Sequence, residues 1–527
     1  MNTENIVIVG GGSAGWMTAT TLLECFPEMK ITLIESPDIA TVGVGESTIG
    51  SINNWKYMSG IRNDDFMRET DATYKLSIAF ENWWHKDDNY RFFYPFAHES
   101  KVEDDAVLTT LWEMKKVCYP DIPWTDYANT VSPVMSLVNQ NKIDDTNIGL
   151  PGYSLEWTAA YHFDATKMGI WLRDTMCLPH APRFTHIKAT VEDAKVGENG
   201  IEFIRLSGGE KIEADLFIDC TGFVSLLMDK VMGIPFESLT DVLPNNYAWA
   251  TKIPYENPEE QITTYTNNTA IENGWVWEIP LQHRLGSGYV FSDRFISHDN
   301  ALLEFQQCLK KKGYKNVEKL EYKKIKMRVG RHKTHWVKNC LGIGLSAAFL
   351  EPLESNGLFT VHMFIQILVS TLERSGGKFV TDFDKKTFNH ITETEFNNFK
   401  DFVLMHYGYS HRDDTEYWRS VTNNPNLPID PGAILSTVNP HNLLRGAGGR
   451  YIRKGFGMNA ISTLGYKLRD LISPEQILKI TDDKGIPLIE TLTSLESDKA
   501  MWNGIVKNSP SPYQFLKRKG LLAYETN

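Results

Sequence analysis

Positive charge is in short supply in this 527-residue sequence: 54 Lys and Arg stand against 66 Asp and Glu, a net charge of −12. Phosphate backbones need a basic field, so this balance excludes nucleic-acid binding as a main role. The one basic stretch, Lys310 to Arg328, is interleaved with Glu318 and Glu321 and reads as a solvated face. Cysteine is also scarce. Cys25, Cys118, Cys177, Cys220, Cys308 and Cys340 are scattered with no CxxC pair, which argues against a metal site and a disulfide framework and fits a reducing cytoplasm. No apolar run is long enough for a spanning helix. The polar start from Met1 to Asn5 is no secretory leader, and there is no low-complexity linker or internal repeat. Composition therefore points to a globular protein without a membrane partner.

Aromatic residues are plentiful: 14 Trp, 21 Tyr and 26 Phe. They suit an aromatic ligand, although core packing accounts for most of them. The local pattern is more specific. Asn5 to Val9 reads as a buried strand, a glycine turn follows, and Ser13 to Phe26 has helical spacing. Ile31 to Glu35 is a second strand, so the chain opens as a βαβ unit and predicts a parallel sheet. Within it Gly10, Gly12 and Gly15 match G-x-G-x-x-G, with Ser13 and Ala14 opening the helix. Glycines at these positions allow a tight turn and close approach of a pyrophosphate to the helix N-terminus. Glu35 lies about 20 residues beyond the third glycine, where an acid holds a ribose diol. Alone the glycine pattern is weak; strand, turn, helix, strand and acid together predict a dinucleotide site. Only one such fingerprint is present, and a later strand ends at Asp219 and the Gly222 turn. That combination favours FAD over NAD, while a plain strand-end turn would look the same.

Further strands are expected over 201–206, 214–219 and 288–291, and periodic apolar positions from Leu358 onward predict helices. The fold class expected is α/β: an FAD-binding Rossmann-type core of the flavin monooxygenase type with an integrated, mostly helical substrate-binding portion. We divide it into a core over 1–357, with insertions near 85–150, and a helical portion over 358–527.

Four further segments resemble flavin-dependent halogenases of the tryptophan-halogenase family. Trp275, Trp277, Ile279 and Pro280 match the WxWxIP signature in every fixed position; without the other matches this would be an aromatic strand ending at proline. Val44, Gly45, Glu46 and Ser47, in Gly43–Thr48, look like the strap beside the flavin. Tyr74-Lys75-Leu76 resembles the segment bearing the catalytic lysine, which implies that role for Lys75. Glu351-Pro352-Leu353-Glu354-Ser355-Asn356-Gly357 is similar to the PLESTG-type segment. By resemblance Glu354 is the catalytic acid, and backbone at Asn356 and Gly357 forms a halide site. Asn356 stands where threonine is usual, which puts halide preference in question. Tyr161–Ala165, Gly330-Arg331, Trp336, Asn339-Cys340 and Arg412–Asp414 running to Trp418 also match. His162 reads as a packed or hydrogen-bonded histidine rather than a base.

The resemblance implies reduced FAD supplied by a separate flavin reductase, O2, a halide ion turned into hypohalous acid, and a small aromatic substrate. No match to the segment that closes the amino-acid pocket of tryptophan-specific enzymes is found between Asp430 and Asn527, so an indole or another electron-rich aromatic is expected. No metal is expected, and association with further copies of the chain is left open. Two rivals remain: a flavin aromatic monooxygenase, distinguished by product formation without halide, and a non-catalytic flavoprotein, distinguished by FAD binding without turnover.

Overall fold

The computed structural model describes residues 1–39, 43, 45–86, 91–96, 115–116, 119–123, 126–408, 410–424 and 488–522. Val44, Cys118, part of the expected insertions near 85–150, and most of Asp430–Asn527 lie outside the described residues. The β-branched run Ile6-Val7-Ile8-Val9 forms the strand Asn5–Val9, buried on both faces as a central parallel strand must be. It pairs in parallel with Lys30–Glu35 on one side and Leu216–Asp219 on the other. The helix Ser13–Cys25 crosses between the first two strands. The six-stranded sheet runs Trp336–Val337, Cys340–Gly342, Leu216–Asp219, Asn5–Val9, Lys30–Glu35, Phe184–Lys188. Val9, Glu35 and Asp219 thus end side by side, at the edge where open α/β sheets bind ligands.

A seven-stranded sheet runs Tyr322–Lys326, Tyr247–Pro254, Arg284–Phe291, Gly274–Pro280, Tyr265–Ile271, Ser77–Glu81, Arg91–Pro95. Every pairing is antiparallel except that of Tyr265–Ile271 with Ser77–Glu81. Beside it, Thr73–Lys75 pairs antiparallel with Ala160–His162, setting Thr73 opposite His162 and Lys75 opposite Ala160. The helix Asn356–Glu373 packs on Ser13–Cys25 and on the long helix Asp382–Gly408. A division after residue 357 falls in the first turn of Asn356–Glu373, and one apolar cluster runs from Ile6 to Leu521 across it.

The basic stretch departs from expectation at one position. Lys310 pairs with Glu318 at the surface, but Lys312 is largely buried and reaches Glu278 at 2.8 Å and Glu81 at 3.1 Å. Two carboxylates hold that ammonium in place, an ion pair that sequence spacing does not reveal. Among the described residues the cysteines are free, no group of side chains is set to hold a metal, and no helix is long and apolar enough to cross a membrane.

Candidate active site

The glycine loop is built by exclusion. A Cβ on Gly15 would stand 1.9 Å from the Gly10 carbonyl oxygen, and one on Gly10, at φ +117°, would stand 2.3 Å from the Cys220 carbonyl. Either substitution would push the loop off the turn that follows Asp219. At Gly12 and Gly222, by contrast, nothing among the described residues lies within 4 Å of where a Cβ would be. The loop is closed on the protein side and open on the other, a shape that fits a pyrophosphate against the helix N-terminus at Ser13 and Ala14. Glu35 leans over Gly11 and accepts a hydrogen bond from His186 Nε2 at 3.0 Å, so its carboxylate is already aimed. These residues fit FAD.

Three of the expected cofactor residues make contacts within the protein. The Asp219 carboxylate is fully buried and accepts from Thr221 N and Oγ1 and from Leu227 N and Met228 N, at 2.6–2.9 Å. It is spent on shaping the turn, which leaves backbone at Gly222 as what this segment offers a ligand. Glu46 turns inward to Arg284, which also holds Asp164 at 3.1 Å. Burial raises the Glu46 carboxyl pKa against the lowering effect of Arg284. The side chain thus ties this segment to the strand that carries Arg284. Ser47, expected beside the flavin, instead gives its hydroxyl to the lysine site.

That site gathers segments far apart in sequence. Lys75 is completely buried, and its Nζ donates to Ser355 Oγ at 2.7 Å, the Thr48 carbonyl at 2.9 Å and Ser47 Oγ at 3.0 Å. Its amine sits 5.1 Å from the Phe96 ring centroid. Burial pulls its pKa well below the usual lysine value, and nearby Glu354 only partly opposes this. Ser355 is strained, a non-glycine residue at φ +57°, ψ +31°, a conformation costing about 1–2 kcal/mol. It caps nothing with its side chain, so the first amides of Asn356–Glu373 keep no side-chain acceptor. A Cβ on Gly357 would meet nothing within 4 Å among the described residues. An uncapped helix N-terminus beside open space suits an anion.

Glu354 is buried with Oε1 2.7 Å from His406 Nε2. The segment is held from behind: Glu351 accepts from Asn245 at 2.6 Å and Trp275 Nε1 lies 3.4 Å from it, while Asn268 donates to the Leu353 carbonyl at 2.7 Å. The two signature tryptophans are buried, with ring centroids 6.2 Å apart, and Trp277 occupies the space a side chain at Gly288 would fill. Ile279 and Pro280 are buried too, and the Pro280 carbonyl accepts from Thr73 at 2.6 Å. Sequence reasoning missed His406, Arg284, His186, Thr73 and Thr266. Each acts through a contact between distant segments, and no local pattern marks it.

The tryptophan halogenase family model matches residues 5–439. A tryptophan 7-halogenase, RebH of Lentzea aerocolonigenes, is 34% identical over 433 residues, covering 79% of this chain and 78% of that protein. The solved structure of VirX1 superposes with a TM-score of 0.87 at 33% identity, over 98% of this chain and 99% of that one. A tryptophan C-6 flavin-dependent halogenase (chlorinase) from taromycin biosynthesis gives 0.77 at 28% identity, over 98% and 99%. The chain belongs to the tryptophan halogenase family and is a flavin-dependent halogenase.

Proposed function

We propose that the enzyme uses reduced FAD, O2 and halide to make hypohalous acid and with it halogenates a small electron-rich aromatic such as an indole. Reduced FAD comes from a separate flavin reductase, and the reaction takes place in the cytoplasm. Residues 1–357 hold cofactor and halide, and the helical portion from 358 shapes the aromatic pocket. The observation that carries the reading is Lys75: a fully buried amine, held by three oxygens, bonded to the residue next to Glu354.

FAD, when bound and reduced, supplies the activation of O2 that oxidises halide. The glycine loop and Glu35 hold it, and the amides of Asn356 and Gly357 hold the halide. Lys75 donates a hydrogen bond to the oxygen of the hypohalous acid, drawing electron density from the halogen. As the aromatic carbon bonds to halogen, the halogen–oxygen bond breaks and the oxygen leaves as water, taking its second proton from the Lys75 ammonium. Glu354 takes the ring proton. A buried route keeps the oxidant from other electron-rich groups.

The test is mass spectrometry of products from the purified protein with FAD, a generic flavin reductase and NADH, offered indole and tryptophan in turn with chloride, bromide or iodide. We expect a halogen-dependent mass shift, larger for indole than for tryptophan, and none from Lys75→Ala, which still binds FAD. Hydroxylated product without halide dependence would overturn the reading, and normal turnover in Lys75→Ala would remove the lysine from the chemistry.

A further inference from the structure

Behind Lys75 runs a chain of buried polar groups that the chemistry above does not use. Ser47 Oγ lies 2.8 Å from Thr266 Oγ1, and Thr266 Oγ1 lies 2.9 Å from His162 Nε2. His162 Nδ1 lies 3.2 Å from Thr73 Oγ1, which lies 2.6 Å from the Pro280 carbonyl oxygen. All five residues, Pro280 included, are buried. The chain joins the strap, the Thr73–Lys75 and Ala160–His162 pair, the seven-stranded sheet and the WxWxIP strand.

The direction of every hydrogen follows from its last member. A carbonyl only accepts, so Thr73 spends its one hydrogen on Pro280 and must accept from His162, whose Nδ1 therefore carries a hydrogen. His162 is neutral, since burial holds its pKa well below the usual histidine value and the Lys75 charge adds to this. Its Nε2 is then bare and accepts from Thr266. With that hydrogen spent, Thr266 accepts from Ser47, and Ser47 in turn accepts from Lys75. The Thr48 carbonyl also only accepts. Two of the three bonds at Lys75 Nζ must therefore be donated by the amine. Ser355 is the one partner free to reverse. Its hydroxyl either points to Ser47 Oγ, 3.0 Å away, while the ammonium donates to it, or turns to the lone pair of the neutral amine. The lone pair of the neutral amine can then face only Ser355, on the side of Glu354.

We propose that His162, acting through Thr266 and Ser47, is a positioning residue that fixes the direction of the Lys75 amine and keeps its lone pair turned toward Ser355 and Glu354. The inference rests on the reading of Lys75 as the working amine. The chain is not a proton exit, because it ends on a carbonyl that takes no proton. It favours donation from Lys75, so breaking it frees Ser47 to donate instead and stabilises the uncharged amine. The titratable groups facing Lys75 are Glu354 and His162, with His406 beyond Glu354.

Two measurements test it. The first needs no turnover: long-range 1H–15N spectra of protein labelled at histidine nitrogens, assigned with His162→Asn. We expect His162 as the neutral Nδ1–H tautomer from about pH 6 to about pH 8, with its Nε2 resonance displaced in Thr266→Val and restored in Thr266→Ser. An imidazolium, or the Nε2–H tautomer, reverses the chain and overturns the proposal. The second is the pH–rate profile of halogenation. Thr266→Val should lower kcat about three- to tenfold, the size of one lost buried hydrogen bond, with KM for the aromatic unchanged. The limb reporting Lys75 should move to lower pH, and Thr266→Ser should behave as the unmodified enzyme. A Val variant that loses rate with no movement of that limb would reduce the chain to packing and overturn the proposal. If the unmodified enzyme halogenates nothing, the proposed function fails, and the tautomer measurement still decides the chain.

Discussion

Glu354 Oε1 lies 2.7 Å from the imidazole of His406. His406 Nδ1 lies 3.0 Å from the Phe402 carbonyl, so it carries a hydrogen. Nε2 then lies 2.7 Å from Glu354 Oε1, close but without an aligned hydrogen bond among the described residues. The imidazole is enclosed by Phe80, Phe92, Phe402 and Trp83, which keep water from the pair. His406 therefore packs against the carboxyl group and limits where it can turn. Glu354→Gln should lower kcat about a hundredfold, the usual scale for losing a general acid or base, with FAD affinity unchanged. His406→Phe should cost less, about tenfold, because the carboxylate remains but loses its aim. Steady-state rates with parallel flavin titration check both. An unchanged kcat in Glu354→Gln would take the carboxylate out of the proton-transfer step.

At the scale of elements, the start of Asn356–Glu373 concentrates the predictions about halide. Gly357 has open space where a Cβ would stand, so Gly357→Ala should fold and bind FAD normally. If the anion occupies that space, the methyl group raises the KM for halide several-fold, on the order of 1 kcal/mol, and leaves the KM for the aromatic alone. An unaltered halide KM would move the anion elsewhere. Asn356 is buried with its Oδ1 unpartnered among the described residues, and the side chain turned over would present its NH2 there. Asn356→Thr replaces that long donor with a short hydroxyl, so the ratio of bromide to chloride products should change; a constant ratio would separate this side chain from halide choice. The same scale explains what was legible in the sequence. The βαβ start could be read because strand, turn, helix and Glu35 follow one another within local periodicity. The segment 351–357 carries its expected site residues consecutively, so the sequence could single it out. The inward contacts of Glu46 and Asp219 were not legible, because Arg284 lies far off in sequence and the amides of Leu227 and Met228 return only after a turn. The link from Lys75 to His162 was illegible because it crosses four separate segments.

The whole molecule carries a pH signature that no single element shows. His335 and His362 are completely buried, and burial drives each down to about 3. His335 Nδ1 keeps Thr392 Oγ1 at 2.9 Å, whereas His362 stacks on Trp55 with neither ring nitrogen hydrogen-bonded among the described residues. In the unfolded chain both titrate near 6.5. Between about 6.5 and 3 the unfolded state therefore binds more protons, so stability falls as pH falls, by up to about 1.4 kcal/mol per pH unit for each histidine. Above about pH 7 both are neutral in either state and the effect vanishes. Glu46 and Asp219, raised by burial, work the other way, since the folded state takes up their protons first. The net slope of the unmodified protein therefore mixes opposing groups, and one substitution isolates a single term. His362→Met fills the site with an apolar side chain and removes one titration. Its Tm should exceed that of the unmodified protein near pH 5.5 and approach it near pH 8, when both are measured at fixed FAD. A difference in Tm that stays constant across that range would mean that His362 titrates alike in the folded and unfolded states, contrary to the burial that surrounds it.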